Sequence, residues 1–304
     1  MNEPTVKTEG AVRVLSKTRT DAPALMTTGA KSLVIRAGTA FNGRGFDFDT
    51  LVPNGDGDLL DAGGDYAVLV GASAIICERV TSLDLLSNPD VIGGFHYAPG
   101  YNAEARAGGN EEPAINPYSM WDVSFMPACK DPRGMTMIDV PRNRFWCDIY
   151  LLAKDHLQHG TSRHSATIAD GDDAPQNPAG GYFDELDYAT AVAVMKHHGK
   201  QLLTYSEFVA AAYGVKERSA AGRDPDVTRL DAAHTSTFGV IQATGNLWVW
   251  GTDGDPDDPR PSLFGGSWFV GSLAGSRYAV LATWPEFSNG SLGARGRSDH
   301  LMLA

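Results

Sequence analysis

Leu263-Phe264-Gly265-Gly266-Ser267-Trp268 opens, and Gly293-Ala294-Arg295-Gly296-Arg297-Ser298-Asp299-His300-Leu301 closes, a stretch whose glycines, Trp268, Arg277, Arg295 and Asp299 mark positions of demanding backbone geometry or buried pairing. Between these fixed points Phe, Val, Ala, Thr, Asn and Ser follow neither a helical nor a strand period. A rigid frame around a changeable face points to binding before catalysis.

Upstream of this stretch, Phe238-Gly239-Val240-Ile241-Gln242-Ala243, Asn246-Leu247-Trp248-Val249-Trp250-Gly251, Tyr278-Ala279-Val280-Leu281 and His300-Leu301-Met302-Leu303 read as strands. Trp248 and Trp250 alternate, so they share one core face. Two helices precede them. Asp187 to Gly199 has an acidic start, a basic end and a terminal glycine, and Thr204 to Gly214 carries Thr204 and Glu207 at capping-box spacing. Two helices followed by a loop-rich sheet make an α+β unit.

Earlier in the chain the signals are short and β-like. They comprise Ser32-Leu33-Val34-Ile35-Arg36, Asp65-Tyr66-Ala67-Val68-Leu69-Val70, Ala74-Ile75-Ile76-Cys77 and Trp121-Asp122-Val123-Ser124-Phe125, separated by turn clusters such as Asn54-Gly55-Asp56-Gly57-Asp58. They predict a small β-sandwich over about 31–126. Residues 1–30 are polar and aperiodic and read as an arm, flexible or ordered only against a partner chain.

The chain of 304 residues is 42% hydrophobic and 20% charged, enough to bury a substantial core in more than one domain. Its formal charge of −12, with no basic run, excludes nucleic acid and an anionic membrane surface as favoured partners. No apolar stretch approaches the roughly 18 residues that a membrane span requires, and the N-terminus lacks an apolar signal core. A protein of this kind working outside a cell is expected to leave by lysis or another route. Cys77, Cys129 and Cys147 form no disulfide framework.

The sequence carries few marks of catalytic or metal chemistry. His156 and His159 are three apart and His197 and His198 are adjacent at a helix end, but no HExxH or CxxC frames them. Asp253, Asp255, Asp257 and Asp258 crowd one loop that could offer oxygens to Ca²⁺, yet it lacks the glycine and glutamate of an EF-hand and reads better as a solvated turn. The same holds for Asp170-Gly171-Asp172-Asp173. GxSxG, SxxK and phosphate-cradling loops are absent, so the expectation is a protein without catalysis or cofactor. Phe269, Trp284 and Phe287 lie in irregular Gly/Ser-rich sequence, where a solvent-facing patch is more natural than a core.

Several uncommon words recur in one order: Val91-Ile92-Gly93-Gly94-Phe95-His96-Tyr97-Ala98-Pro99-Gly100, Tyr118-Ser119-Met120-Trp121-Asp122, Asp131-Pro132-Arg133-Gly134-Met135-Thr136, Asp148-Ile149-Tyr150-Leu151-Leu152 and Gly293-Ala294-Arg295-Gly296. From about Ser32 onward the chain resembles the phage major tropism determinants, the variable proteins of diversity-generating retroelements. The resemblance implies a C-type lectin fold of the formylglycine-generating-enzyme branch over about 127–304, consistent with Gly199-Lys200-Gln201-Leu202 and Gly245-Asn246-Leu247-Trp248-Val249-Trp250. Such a family implies a tail-fibre tip that binds a protein or glycan receptor on a bacterial surface, works in the virion as a homo-oligomer with a trimer favoured, and inserts in no membrane.

In that family, adenine-directed mutagenesis rewrites one face. Carried over without gaps into a variable region of about 265–296, the positions are Ser267, Phe269, Val270, Gly271, Leu273, Val280, Ala282, Thr283, Phe287, Asn289, Ser291 and Leu292. Two departures stand out: the family's N-terminal β-prism has only the short arm in its place, and the loop between Trp250 and Phe264 is shorter and more acidic. A bacterial cell-surface display or adhesion protein of the same family is the second reading. An oxidase of the formylglycine-generating type is the third, and it would need a reactive cysteine pair late in the chain, whereas every cysteine precedes the helices.

Overall fold

The computed structural model describes residues 5–8, 11–54, 60–141 and 143–301. The chain divides into two compact units, one comprising the residues up to Pro99, Pro113–Arg133 and the end from His300, the other Gly100–Glu112 and Gly134–Asp299. This differs from a single cut near residue 126: a short insertion at 100–112 belongs with the second unit, and the last described residues return to the first, where His300 bridges Pro127.

The first unit is built of β-strands with two short 3-10 turns, Leu85–Ser87 and Pro117–Ser119, and holds no α-helix among the described residues. Its strands are β1 (Thr5–Thr8), β2 (Ala11–Lys17), β3 (Leu25–Thr27), β4 (Leu33–Ile35), β5 (Thr39–Phe41), β6 (Arg44–Phe46), β7 (Thr50–Leu51), β8 (Gly64–Val70), β9 (Ile75–Arg79), β10 (Val91–Ala98), β11 (Ala114–Ile115) and β12 (Trp121–Asp122). They form sheets ordered β1-β2-β5-β6, β3-β4-β7 and β11-β10-β8-β9, with β12 added beside β10. Leu15, Leu25, Ile35, Phe41, Val68, Ile92 and Phe95 meet from all of them in one apolar cluster. β10 is buried along its whole length. Glycine is required at position 94 of that strand, because a Cβ there would lie 2.3 Å from the Tyr66 carbonyl oxygen.

The expected N-terminal arm is built into this unit instead. Leu15 pairs with Phe41 and is buried, as are Ala24 and Leu25. The Lys17 ammonium donates to Asp122 Oδ2 at 2.6 Å in a nearly sealed ion pair, and the Ala24 amide donates to the same oxygen. The alternation in Arg13-Val14-Leu15 is too short to stand out from its polar surroundings, and its partners lie far along the chain. The Trp121–Phe125 strand ends at Asp122, whose amide donates to Phe125 O in a turn. Residues 55–59 of the glycine-aspartate turn cluster, and Met302-Leu303 of the last expected strand, lie outside the described residues.

The second unit is α+β. Its elements are β13 (Met135–Val140), β14 (Asn143–Asp148), α1 (His156–His159), α2 (Tyr188–His197), β15 (Gln201–Thr204), α3 (Tyr205–Ala211), β16 (Trp248–Thr252), β17 (Pro261–Phe264), β18 (Ala279–Val280), β19 (Leu292–Ala294) and β20 (Gly296–Asp299). The sheet runs β13-β14-β20-β15-β16-β17-β18, with β19 parallel to β16. Asp187 caps α2 by accepting from the Thr190 amide at 2.7 Å, and Gly199, at φ 68°, ends it. Thr204 and Glu207 form the reciprocal capping box of α3. Trp250 is sealed in the core among Leu152, Leu186, Met195, Leu202 and Leu292, where its indole N–H donates to the Leu186 carbonyl at 2.9 Å, and Trp248 packs against the same cluster.

The expected strand at 238–243 is a buried turn. Gly239 and Gln242 have φ of 76° and 52°, which no strand tolerates, and the amides of Val240, Ile241 and Ala243 donate to Ser236 Oγ, Ile149 O and His234 O. A run of apolar and β-branched residues here serves burial without pairing.

Candidate functional site

The segment that follows β17 begins with Gly265 and Gly266, at φ of 91° and 79°. A side chain at Gly266 would strike the Leu273 carbonyl oxygen at 2.7 Å, so the chain can double back here only on glycine. The excursion is then stitched by its main chain: Gly265 N to Tyr278 O, Gly275 N to Gly265 O, Trp268 N to Asn246 O and Gly222 N to Trp268 O, all between 2.7 and 3.0 Å. Trp268 packs half-buried on Leu151, Ile168, Leu247 and Val249, and the Ser276 amide and hydroxyl both donate to the Glu217 carboxylate.

After β18 the second half of the segment is held in the same way. Thr283 N donates to Pro261 O, Tyr188 N to Pro285 O, Gly171 N to Asn289 O and Trp248 N to Ser291 O. Asn289 is the exception, since its side-chain oxygen also accepts from the Ser291 amide and hydroxyl.

With the backbone tethered, the large apolar side chains turn outward. Trp284 is 80% exposed, Phe269 and Leu273 are each 60% exposed, and Val280, Leu281 and Phe287 are also exposed. Burying such groups is worth roughly 1.5–3 kcal/mol each, a gain these side chains forgo by standing in water. Of the positions carried over from the family, Gly271 and Ala282 are exposed as well, and Val270, Thr283, Asn289 and Ser291 are half-exposed.

Ser267 and Leu292 require correction. Ser267 is fully buried beside Asn246, with which it forms an isolated parallel bridge, because the glycine turn before it aims its side chain inward. Leu292 starts β19 opposite Trp248 and lies in the core with Trp250. Neither presents a side chain to a partner. Leu281 and Trp284 belong to the exposed row although neither is in the carried-over set. The irregular sequence around Trp284 signals this, while nothing local marks Leu281.

A sealed polar frame lies behind the face. The Asp148 carboxylate accepts from the Lys200 ammonium at 2.5 Å, Thr161 Oγ1 at 2.8 Å and the Gly296 amide at 3.1 Å. Arg295, fully buried, donates to the carbonyls of Asp148 at 2.7 Å, Ile241 at 2.8 Å and Gln242 at 3.3 Å. Burial lowers its pKa from the ordinary guanidinium value, with Cys147 and Asp148 opposing that shift. These bonds join β14, the head of β15, the 238–243 turn and the start of β20, giving the loop segment a base of fixed shape.

Other titratable groups are consumed structurally. His156 sits between His198 Nε2 and the Gln176 carbonyl, each 2.8 Å away, and burial pushes its pKa down, which favours the neutral ring. Asp253 accepts from the amides of Asp255 and Arg260, and Asp255 from those of Asp257 and Asp258, so this exposed acidic loop spends carboxylate oxygens on its own backbone. Asp170 does likewise toward Asp172 and Asp173. Burial pushes the thiols of Cys77 and Cys147 up to about 12, which removes the thiolate that cysteine chemistry needs. Native protein at about pH 8 should therefore leave Cys147 untouched by Ellman's reagent, whereas denatured protein should react at every cysteine. Rapid labelling of native Cys147 would contradict its burial.

Comparison with known proteins agrees with this architecture. The sequence profile of the Mtd second domain matches residues 23–122. The chain is 39% identical, over an alignment covering 93% of it and 83% of its relative, to the tail fiber receptor-binding protein of Bordetella phage BPP-1. Among solved structures, the Major Tropism Determinant U1 variant superposes with a TM-score of 0.84 at 37% identity, covering 95% of this chain and 86% of that one. The I1 variant does so with a TM-score of 0.85 at 36% identity and the same coverage. The C-type lectin fold expected for the second unit is the fold of these neighbours.

Proposed function

The chain belongs to the major tropism determinant family, and from that premise we propose that it is a phage tail-fibre adhesin whose 265–292 face binds a molecule on the host surface. The observation that carries this reading is the set of exposed apolar side chains, Phe269, Leu273, Val280, Leu281, Trp284 and Phe287, on β18 and on loops whose own backbone is tied down. Aromatic anchors on a rigid support lose little entropy on contact and dominate interface energetics. Copies of the chain on one particle multiply weak single contacts.

Within this reading the accessible carried-over positions are the ones a retroelement rewrites, the protein works in the virion without catalysis, and a trimer is its assembly. No helix among the described residues is long and apolar enough to cross a membrane.

The test is adsorption to the host bacterium. Replacing Phe269, Trp284 and Phe287 together with Ala should lower binding at least about tenfold per side chain, while each exposed site changes stability by no more than about 0.5 kcal/mol. Unchanged adsorption would place the contact elsewhere. The rewriting is tested in the DNA: a near-copy of the 3′ coding segment, differing mainly at adenines and lying beside a reverse transcriptase gene, is the expected result.

A further inference from the structure

Apart from the exposed apolar side chains, the second unit contains a cleft of about 350 Å³ whose polar lining is Glu111, Arg223, Arg229, Asp231 and Asn246. Arg223 is exposed and Arg229 half-buried, and among the described residues neither guanidinium has a hydrogen bond or ion pair. Arg229 is held by its main chain alone, its amide donating to Gln242 Oε1 at 3.2 Å. Other arginines of this unit with comparable burial are paired: Arg163 with Asp155 at 2.6 Å and Arg297 with Glu207 at 2.9 Å. A guanidinium keeps its charge and its fork of donors at any physiological pH, so two unengaged forks in one concavity mark a place for an anionic oxygen group.

The nearby Asp231 does not fill that role. Its Oδ2 accepts from His234 Nδ1 at 2.8 Å and Asn246 Nδ2 at 3.0 Å, and although burial works against ionisation, these partners hold it below the usual carboxylate range. It therefore stays a carboxylate, and Glu111 lines the same cleft. A bare anion would meet both arginines but also these two acidic side chains, and a neutral sugar could offer its hydroxyls to either set but would bring the guanidiniums no opposite charge. A sugar ring carrying a carboxylate or phosphate satisfies both sets, and the cleft lies at the small end of ligand-pocket sizes.

Its position suits a fixed contact beside a changing one. The Ala221 amide donates to Gly245 O and the Gly222 amide to Trp268 O, so the cleft's rim is bonded to the foot of the loop that carries Phe269. None of the lining residues belongs to the carried-over positions.

We propose that this cleft is a subsite, outside the carried-over positions, for an acidic sugar of the host surface. Its biological sense rests on the reading of the chain as a surface adhesin, but its test does not. Full-length protein is titrated with glucuronate, glucose 6-phosphate and glucose, with calorimetry or NMR as readout. At least one of the two anionic sugars should bind with a Kd of about 1 mM, and glucose at least roughly tenfold more weakly. The preference between the anions separates a uronic-acid source from a phosphorylated one. Arg229→Gln should weaken the anionic sugar at least about tenfold with an unchanged melting temperature. If that variant fails to fold, Arg223→Glu, at an exposed position, should give the same loss.

Glucose binding as tightly as the anions, or anion binding unchanged in a folded variant, overturns the subsite. Wild-type protein that adsorbs to its host yet binds none of the three sugars overturns it too and leaves the adsorption reading standing. Sugar binding by a protein that adsorbs to no host does the opposite.

Discussion

Arg295→Ala is expected to cost about 3–5 kcal/mol of stability, seen as a fall in melting temperature of about 10 °C or more. The side chain is fully buried, and its donors are shared among the carbonyls of Asp148, Ile241 and Gln242. Removing it leaves three acceptors without their partner, each at a cost of about 1–3 kcal/mol, and opens a cavity in a close-packed region. Relief of the desolvated charge offsets part of this, which keeps the net figure below the plain sum. Arg295→Lys should recover little, because an ammonium is a point donor and the carbonyls are spread across the plane of a fork. Chemical denaturation of both variants checks the argument. A loss under about 1 kcal/mol would mean the 238–243 turn finds other partners for its carbonyls.

Lys200→Met should cost a similar amount, about 3 kcal/mol or more, by leaving the sealed Asp148 carboxylate with Thr161 and the Gly296 amide but without its cation. The discriminating measurement is the double variant Lys200→Met/Asp148→Asn. If the buried pair is the cause, the double variant should be more stable than the sum of the single losses predicts by about 1–3 kcal/mol, since the second substitution removes the stranded charge. Strict additivity would show instead that Lys200 matters through its alkyl packing. In neither variant should the exposed row at 269–287 change its own chemistry, so any lost binding would trace to the base on which the loops rest.

What could be read from the chain alone follows the range of the interactions involved. Asp187 and the Thr204–Glu207 pair announce their helices because a cap is satisfied within a few residues. Trp248 and Trp250 are legible as core for the same local reason. The 238–243 turn is not, because its apolar letters suit a strand and its shape is set by Arg295, more than fifty positions away. Likewise Lys200 finds Asp148, and Lys17 finds Asp122, across distances that no period records. At the candidate face the irregular glycine-rich composition reveals that something is displayed, but an aperiodic loop carries no inside-outside rhythm. Ser267 and Leu292 are therefore indistinguishable from Phe269 in the sequence, though the fold buries the first two and exposes the third.

The tethering of the 265–292 loops through main-chain amides and carbonyls gives the alphabet of this surface unequal letters. Where the fixing bonds belong to the peptide group, as around Phe269, a substitution would leave the bonds that hold the scaffold in place. At Asn289 the side chain itself folds the turn, accepting from Ser291, and a different residue there alters the loop's course as well as its chemistry. A repertoire written on this protein would thus combine many independent substitutions with a few that reset the geometry for all the others.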